Sequence, residues 1–95
     1  MKTLFTTHHL SAIAGSELVI HDLAVHFKHI GHEVEVAVFD IGSPMIDEMR
    51  KSKIDVVAIR ERPPRYNHYD LIWAQHHPVL THVLFEKKIT ADKII

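Results

Sequence analysis

The chain has 95 residues, 46% of them hydrophobic and 24% charged, with a formal net charge of −1. This is the profile of one small globular domain, residues 1–95, rather than of a fibrous or disordered segment. The absence of cysteine excludes disulfides and thiolate metal sites, and a balance of 11 basic against 12 acidic residues gives no electrostatic basis for a nucleic-acid partner.

In chain order, "KTLFTT" is a short β-rich run and reads as a first strand. "ELVIHDLAVHFKHIG" reads as a helix. Ile20, Leu23, Ala24, Phe27 and Ile30 recur at helical spacing on its apolar face. Ser16 is its expected N-cap, Glu17 suits the positive helix start, and Gly31 is the expected left-handed stop. "EVEVAVFD" alternates as a second strand with Val34, Val36 and Val38 on one face. "SPMIDEMRKS" reads as a short helix capped by Ser43 with Pro44 in its first turn. "DVVAI" is a third strand, and "RERPPRYNHY" a charged, proline-broken loop. For that basic cluster a solvated loop is set against an anion or membrane-surface contact. "DLIWAQ" is a fourth strand, Pro78 opens a helix over "VLTHVLFEKK", and "DKII" begins a fifth strand.

Strands separated by helices, with near-continuous apolar runs, predict an α/β fold. A Rossmann-like parallel sheet in a three-layer α/β/α arrangement is expected, with right-handed crossovers and strand order 3-2-1-4-5. The first and fourth strands would then be neighbours where the order reverses, and ligands bind beyond the carboxyl ends of strands at such a point. Two histidine doublets follow these strands: His8 and His9 after the first, His76 and His77 after the fourth. Both are expected to rim one crevice. No apolar stretch reaches the ~20 residues of a membrane span. The opening run is too interrupted for a signal peptide, so a cytoplasmic location is expected.

Three chemistries are open to that crevice. Imidazoles from two loops could hold a metal, but neighbouring residues in extended chain point opposite ways, so each doublet would supply one inward ring. With Glu17 and Asp40 the sole local carboxylates, no metal site is assigned. "AIAGSE" could bring backbone N–H groups to an anion at the helix start. It has Gly15 but neither the three glycines of a dinucleotide loop nor the G-K-[ST] of a P-loop. A hydroxyl-rich ligand suits neutral imidazole, which both donates and accepts. Trp73, a conceivable sugar platform, lies within the fourth strand and reads as a core aromatic. No serine has the setting of a catalytic nucleophile.

The chain resembles the N-terminal domain of GT-B glycosyltransferases, specifically the retaining family 4. Three segments carry the resemblance. "AGSE" at Ala14 to Glu17 is similar to that family's G-G-x-E loop. "LAVHFKHIGHEVEVAV" at Leu23 to Val38 is similar to its helix, "GHEV" turn and second strand. "YDLIWAQHHP" at Tyr69 to Pro78 is similar to its "D-V-V-H-A-H" strand and loop. The resemblance implies a hexosyl transfer from a nucleotide-sugar donor to a glycan, lipid or other acceptor, with this chain on the acceptor side of the cleft and no cofactor.

By the same resemblance, His76 or His77 would be the catalytic-site histidine contacting the donor sugar's hydroxyls. Gly15 would border the donor, Ser16, Glu17, His8 and His9 are candidates for binding substrate or donor beside it, and Asp40 is an acceptor-side candidate. Ala14 stands where the family has its first glycine, and the E-x7-E donor motif is absent. The chain therefore reads as a truncated half of a GT-B N-terminal domain, inactive alone and self-associating through its C-terminal edge strand. A flavodoxin-like binding module and a histidine-based metal-binding domain are the alternatives.

Overall fold

The computed structural model describes residues 1–11 and 15–95; Ala14 lies outside the described residues. The strands are β1 (Lys2–Thr6), β2 (His9–Leu10), β3 (Glu33–Val38), β4 (Asp40–Ile41), β5 (Asp55–Ala58), β6 (His68–Ala74) and β7 (Thr90–Ile94). The helices are α1 (Gly15–His29), α2 (Met45–Lys51) and α3 (His77–Thr81), the last running into one π-helical turn at His82–Glu86.

The α/β class with a parallel sheet is as expected. Seven strands form among the described residues where five were expected; the two extra, β2 and β4, shift the numbering, while the five expected runs lie in the order third, second, first, fourth and fifth. The five-stranded sheet has the order β5-β3-β1-β6-β7, while β2 and β4 make a separate parallel pair. That pair joins His9 to Asp40 and Leu10 to Ile41. Two-residue strands are too short to show a period of two, so periodicity alone does not reveal them. In the main sheet β1 is central, with Thr3 to Thr6 in parallel register with Leu71 to Ala74 of β6 and Lys2 to Thr6 in register with Glu33 to Ala37 of β3.

Alternation along β1 and β3 divides the interior in two. On one face Phe5, Val36 and Val38 pack with Ile20 and Ala24 of α1 and Met45 and Met49 of α2; Val34 and Trp73 are partly buried against the same cluster. On the other, Leu4, Ala37 and Ile72 pack with Val79 and Val83 from the α3 region. A sheet covered on both faces is the reason its strands read as apolar runs.

The helix ends depart from the sequence reading in three places. α1 begins at Gly15, so Ser16 lies inside its first turn and is not the cap. Ile30 falls beyond the helix and is 56% exposed; Gly31, at φ +100°, turns the chain as expected. α2 begins at Met45 with Pro44, not Ser43, at the N-cap and no side-chain bond there. Among the described residues no helix is long and apolar enough to cross a membrane.

Candidate functional site at the C-terminal rim of the sheet

β1 and β6 run side by side, and their pairing continues past the strands: the Gln75 amide donates to the Thr6 carbonyl at 2.8 Å. The segments leaving both strands therefore emerge on the same rim, as do those leaving β3 and β5. The Phe39 amide donates to the His8 carbonyl at 2.9 Å, and the Ile59 amide to the Val38 carbonyl at 2.8 Å.

Phe39 is the hub of one side of this rim. The His8 ring meets it edge-on at 5.6 Å between centroids, the His82 ring does so at 5.7 Å, and the Arg60 guanidinium carbon lies 4.0 Å from its centroid. His8 and His9 were expected to diverge, one inward and one outward. Instead their rings make an edge contact at 5.4 Å and both residues are exposed, with Thr7 and His8 lying between β1 and β2 and outside either strand. Arg60 and Phe39 were not singled out by sequence reasoning. Arg60 belongs to a loop read as solvated, and a lone phenylalanine after a strand carries no signal of its own.

The other side is acidic. Glu17, in the first turn of α1, is buried to 8% exposure. Its Oε2 accepts the Ser11 amide at 2.6 Å, and its Oε1 lies 3.8 Å from His9 Nε2. Glu17 thus reaches back to hold the entrance of the β2–α1 loop, which suits a carboxylate at the positive helix end. Gly15 has φ +52°, and among the described residues nothing lies within 4 Å of where a Cβ would stand. Ser16 beside it is exposed. Asp40 is exposed and lies opposite His9 in the β2–β4 pair.

Beyond β6, His76 has φ +75° and ψ 118°. This lies outside the regions a residue with a Cβ favours, and such conformations cost on the order of 1–3 kcal/mol. His76 and His77 are both exposed. Close by, three buried side-chain atoms have no hydrogen-bond partner among the described residues: Thr6 Oγ1, Gln75 Oε1 and His82 Nε2. Buried polar atoms of this kind are uncommon and concentrate where a ligand or water completes the site. Thr6 and Gln75 are the pair joined across β1 and β6.

The opposite rim holds a second polar cluster that sequence reasoning missed. Glu35, mid-strand in β3 and 7% exposed, accepts the Arg65 amide at 3.0 and 3.2 Å and the Tyr69 hydroxyl. Tyr66 Oη donates to Glu33 at 2.6 Å, and Arg65 pairs with Asp55. Burial, then the hydrogen bond to Glu35, hold the Tyr69 phenol above its ordinary range. The "RERPPRYNHY" loop is therefore anchored at Arg65, Tyr66 and Tyr69, while Arg60 to Pro63 are exposed as expected. Clefts of about 200 and 270 Å³ open around Arg65. Their carboxylates are paired within the protein, so this rim reads as a structural clamp. The available signal was Glu35 itself, a carboxylate between two valines in a central strand.

Among the described residues no group of three or more His, Asp or Glu side chains is placed to hold a metal ion. Comparison with known proteins returns no match, whether to a family model, a curated protein or a solved structure.

Proposed function

We propose that the chain is the acceptor-side, N-terminal part of a GT-B retaining glycosyltransferase similar to family 4, acting in hexosyl transfer. The observation that carries this reading is His76, held in a disfavoured backbone conformation directly after β6 on the rim it shares with Gly15 and the histidines after β1. Strain of this kind is retained where a site requires it, and an imidazole aimed at a hydroxyl-rich ligand is such a use.

In the proposed reaction the bond between the donor sugar's anomeric carbon and its diphosphate breaks. A bond from that carbon to an acceptor hydroxyl oxygen forms, with retention, and the hydroxyl proton leaves with the diphosphate. The chain's own part is to orient. His76 or His77 hydrogen-bonds the sugar's hydroxyls. The backbone at Gly15, at the positive end of the 15-residue α1, faces the departing anion. Ser16 borders the same loop, Glu17 holds its entrance, and His8, His9 and Asp40 line the acceptor approach.

These 95 residues contain no E-x7-E motif, so the isolated chain is expected to transfer no sugar, and robust turnover would contradict that. The reading is tested by calorimetric titration with UDP-glucose, UDP alone, flavin mononucleotide and zinc. Weak, saturable binding of the sugar nucleotide that exceeds that of UDP, and is lost in His76→Ala with His77→Ala, is the expected result. Flavin mononucleotide or zinc binding in place of the sugar ligand would replace this reading with a flavodoxin-like or metal-binding function.

A further inference from the structure

The side of the rim built around Phe39 has a composition that a neutral sugar does not require. Arg60 stacks on the Phe39 face at 4.0 Å. Among the described residues its guanidinium has no carboxylate or carbonyl partner, whereas Arg50, Arg62 and Arg65 each have one. His8 and His82 close on the edges of the same ring at 5.6 and 5.7 Å, and His82 Nε2 is buried without a partner. Three side chains with nitrogen donors, from three separate segments, therefore surround one aromatic ring, and none of them makes a side-chain hydrogen bond among the described residues.

The nearest acidic neighbours in sequence are Asp40 and Glu61. Asp40 follows Phe39 at the start of β4 and pairs with His9, on the other side of the rim. Glu61 is exposed, and its amide turns back to the Ala58 carbonyl at 2.9 Å.

Resting on the glycosyltransferase reading, we propose that this side of the rim is an oxyanion subsite, and that the acceptor carries a phosphate monoester gripped by Arg60 with His8 and His82. A guanidinium presents its donors in a planar fork that matches phosphate oxygens, and stacking on Phe39 holds that fork in place. His8 stands at the exposed mouth of the subsite. His82 forms its inner wall, where a phosphate oxygen supplies the partner its Nε2 lacks.

The test is an NMR titration of the chain with glucose 6-phosphate, glucose and inorganic phosphate, in the native sequence and in R60Q and R62Q. The expected result is saturable binding of glucose 6-phosphate with shifts at His8, Phe39 and Arg60, tighter than inorganic phosphate, and no saturation by glucose at the same concentrations. R60Q is expected to weaken it on the order of tenfold or more, while R62Q, at the far rim, leaves it unchanged. Equal binding of glucose 6-phosphate and inorganic phosphate, both lost in R60Q, supports the oxyanion subsite and removes the sugar-acceptor reading. Binding indifferent to R60Q, or shifts confined to Arg62 and Arg65, overturns the subsite itself.

Discussion

The Gln75 amide donates to the Thr6 carbonyl at 2.8 Å, one residue beyond the last register pair of β1 and β6. This bond fixes where both histidine-bearing segments leave the sheet. Beside it, among the described residues, the Thr6 hydroxyl and the Gln75 carboxamide oxygen are buried without hydrogen-bond partners. The parallel pairing of β1 with β6 thus gathers the rim around these two side chains.

The backbone of His76 yields the sharpest expectation. Glycine adopts positive φ without a Cβ clash, so His76→Gly should raise stability by roughly 1 kcal/mol while weakening sugar-nucleotide binding. Thermal melting and calorimetry on the same variant check both halves. A loss of stability would mean that the φ of +75° carries no strain.

At the far rim the clamp on Glu35 governs stability. Glu35→Ala removes the acceptor of the Arg65 amide and the Tyr69 hydroxyl. Leaving such groups buried and unpaired costs about 1–3 kcal/mol each. For a chain of this size each kcal/mol lowers the melting temperature by roughly 4–8 °C. Differential scanning calorimetry reads the drop directly.

The same clamp has a signature in alkali. The Tyr69 phenol titrates higher in the folded chain than the ~10 of a free tyrosine, through burial and Glu35. Its contribution is therefore complete below about pH 10 and is lost as pH rises toward the folded value, because the unfolded chain releases the proton first. Stability should fall above about pH 10 more steeply in the native chain than in Tyr69→Phe. Urea melts between pH 8 and 11 would show it, and parallel curves would contradict it.

Glu17 ties the first turn of α1 to Ser11, which follows β2. Glu17→Ala removes the acceptor of the Ser11 amide, a bond of 2.6 Å, and should cost about 1–3 kcal/mol. Amide exchange at Ser11 should accelerate, while that of Phe5 and Val36, in the sheet core, should accelerate by no more than the loss of global stability dictates. Exchange at Ser11 indifferent to the change would assign the position of Ser11 to other contacts.

What the sequence disclosed follows from the range of the forces involved. The valine alternation of β3, the apolar stripe of α1 and the Gly31 stop are set by neighbours a few residues apart, and all were legible. The capping roles of Ser16 and Ser43 were not, since helix α1 starts at Gly15, two residues before the expected Glu17, and α2 starts at Met45. The partners of Glu35 lie 30 and 34 residues away, and Arg60 meets Phe39 only because β3 and β5 are adjacent. Both doublets were identified from sequence, yet the edge contact of His8 with His9 was not, and no periodicity signals that His8 falls between two strands.

The central claim is that ligand binds at the C-terminal rim and not in the clefts around Arg65. Its most direct measurement is a backbone NMR footprint of UDP-glucose on the isotopically labelled chain. Shifts concentrated at His8, Gly15, Gln75, His76 and His77 are the predicted result. A footprint on Glu33, Asp55 and Arg65 at the other end of the strands would contradict it.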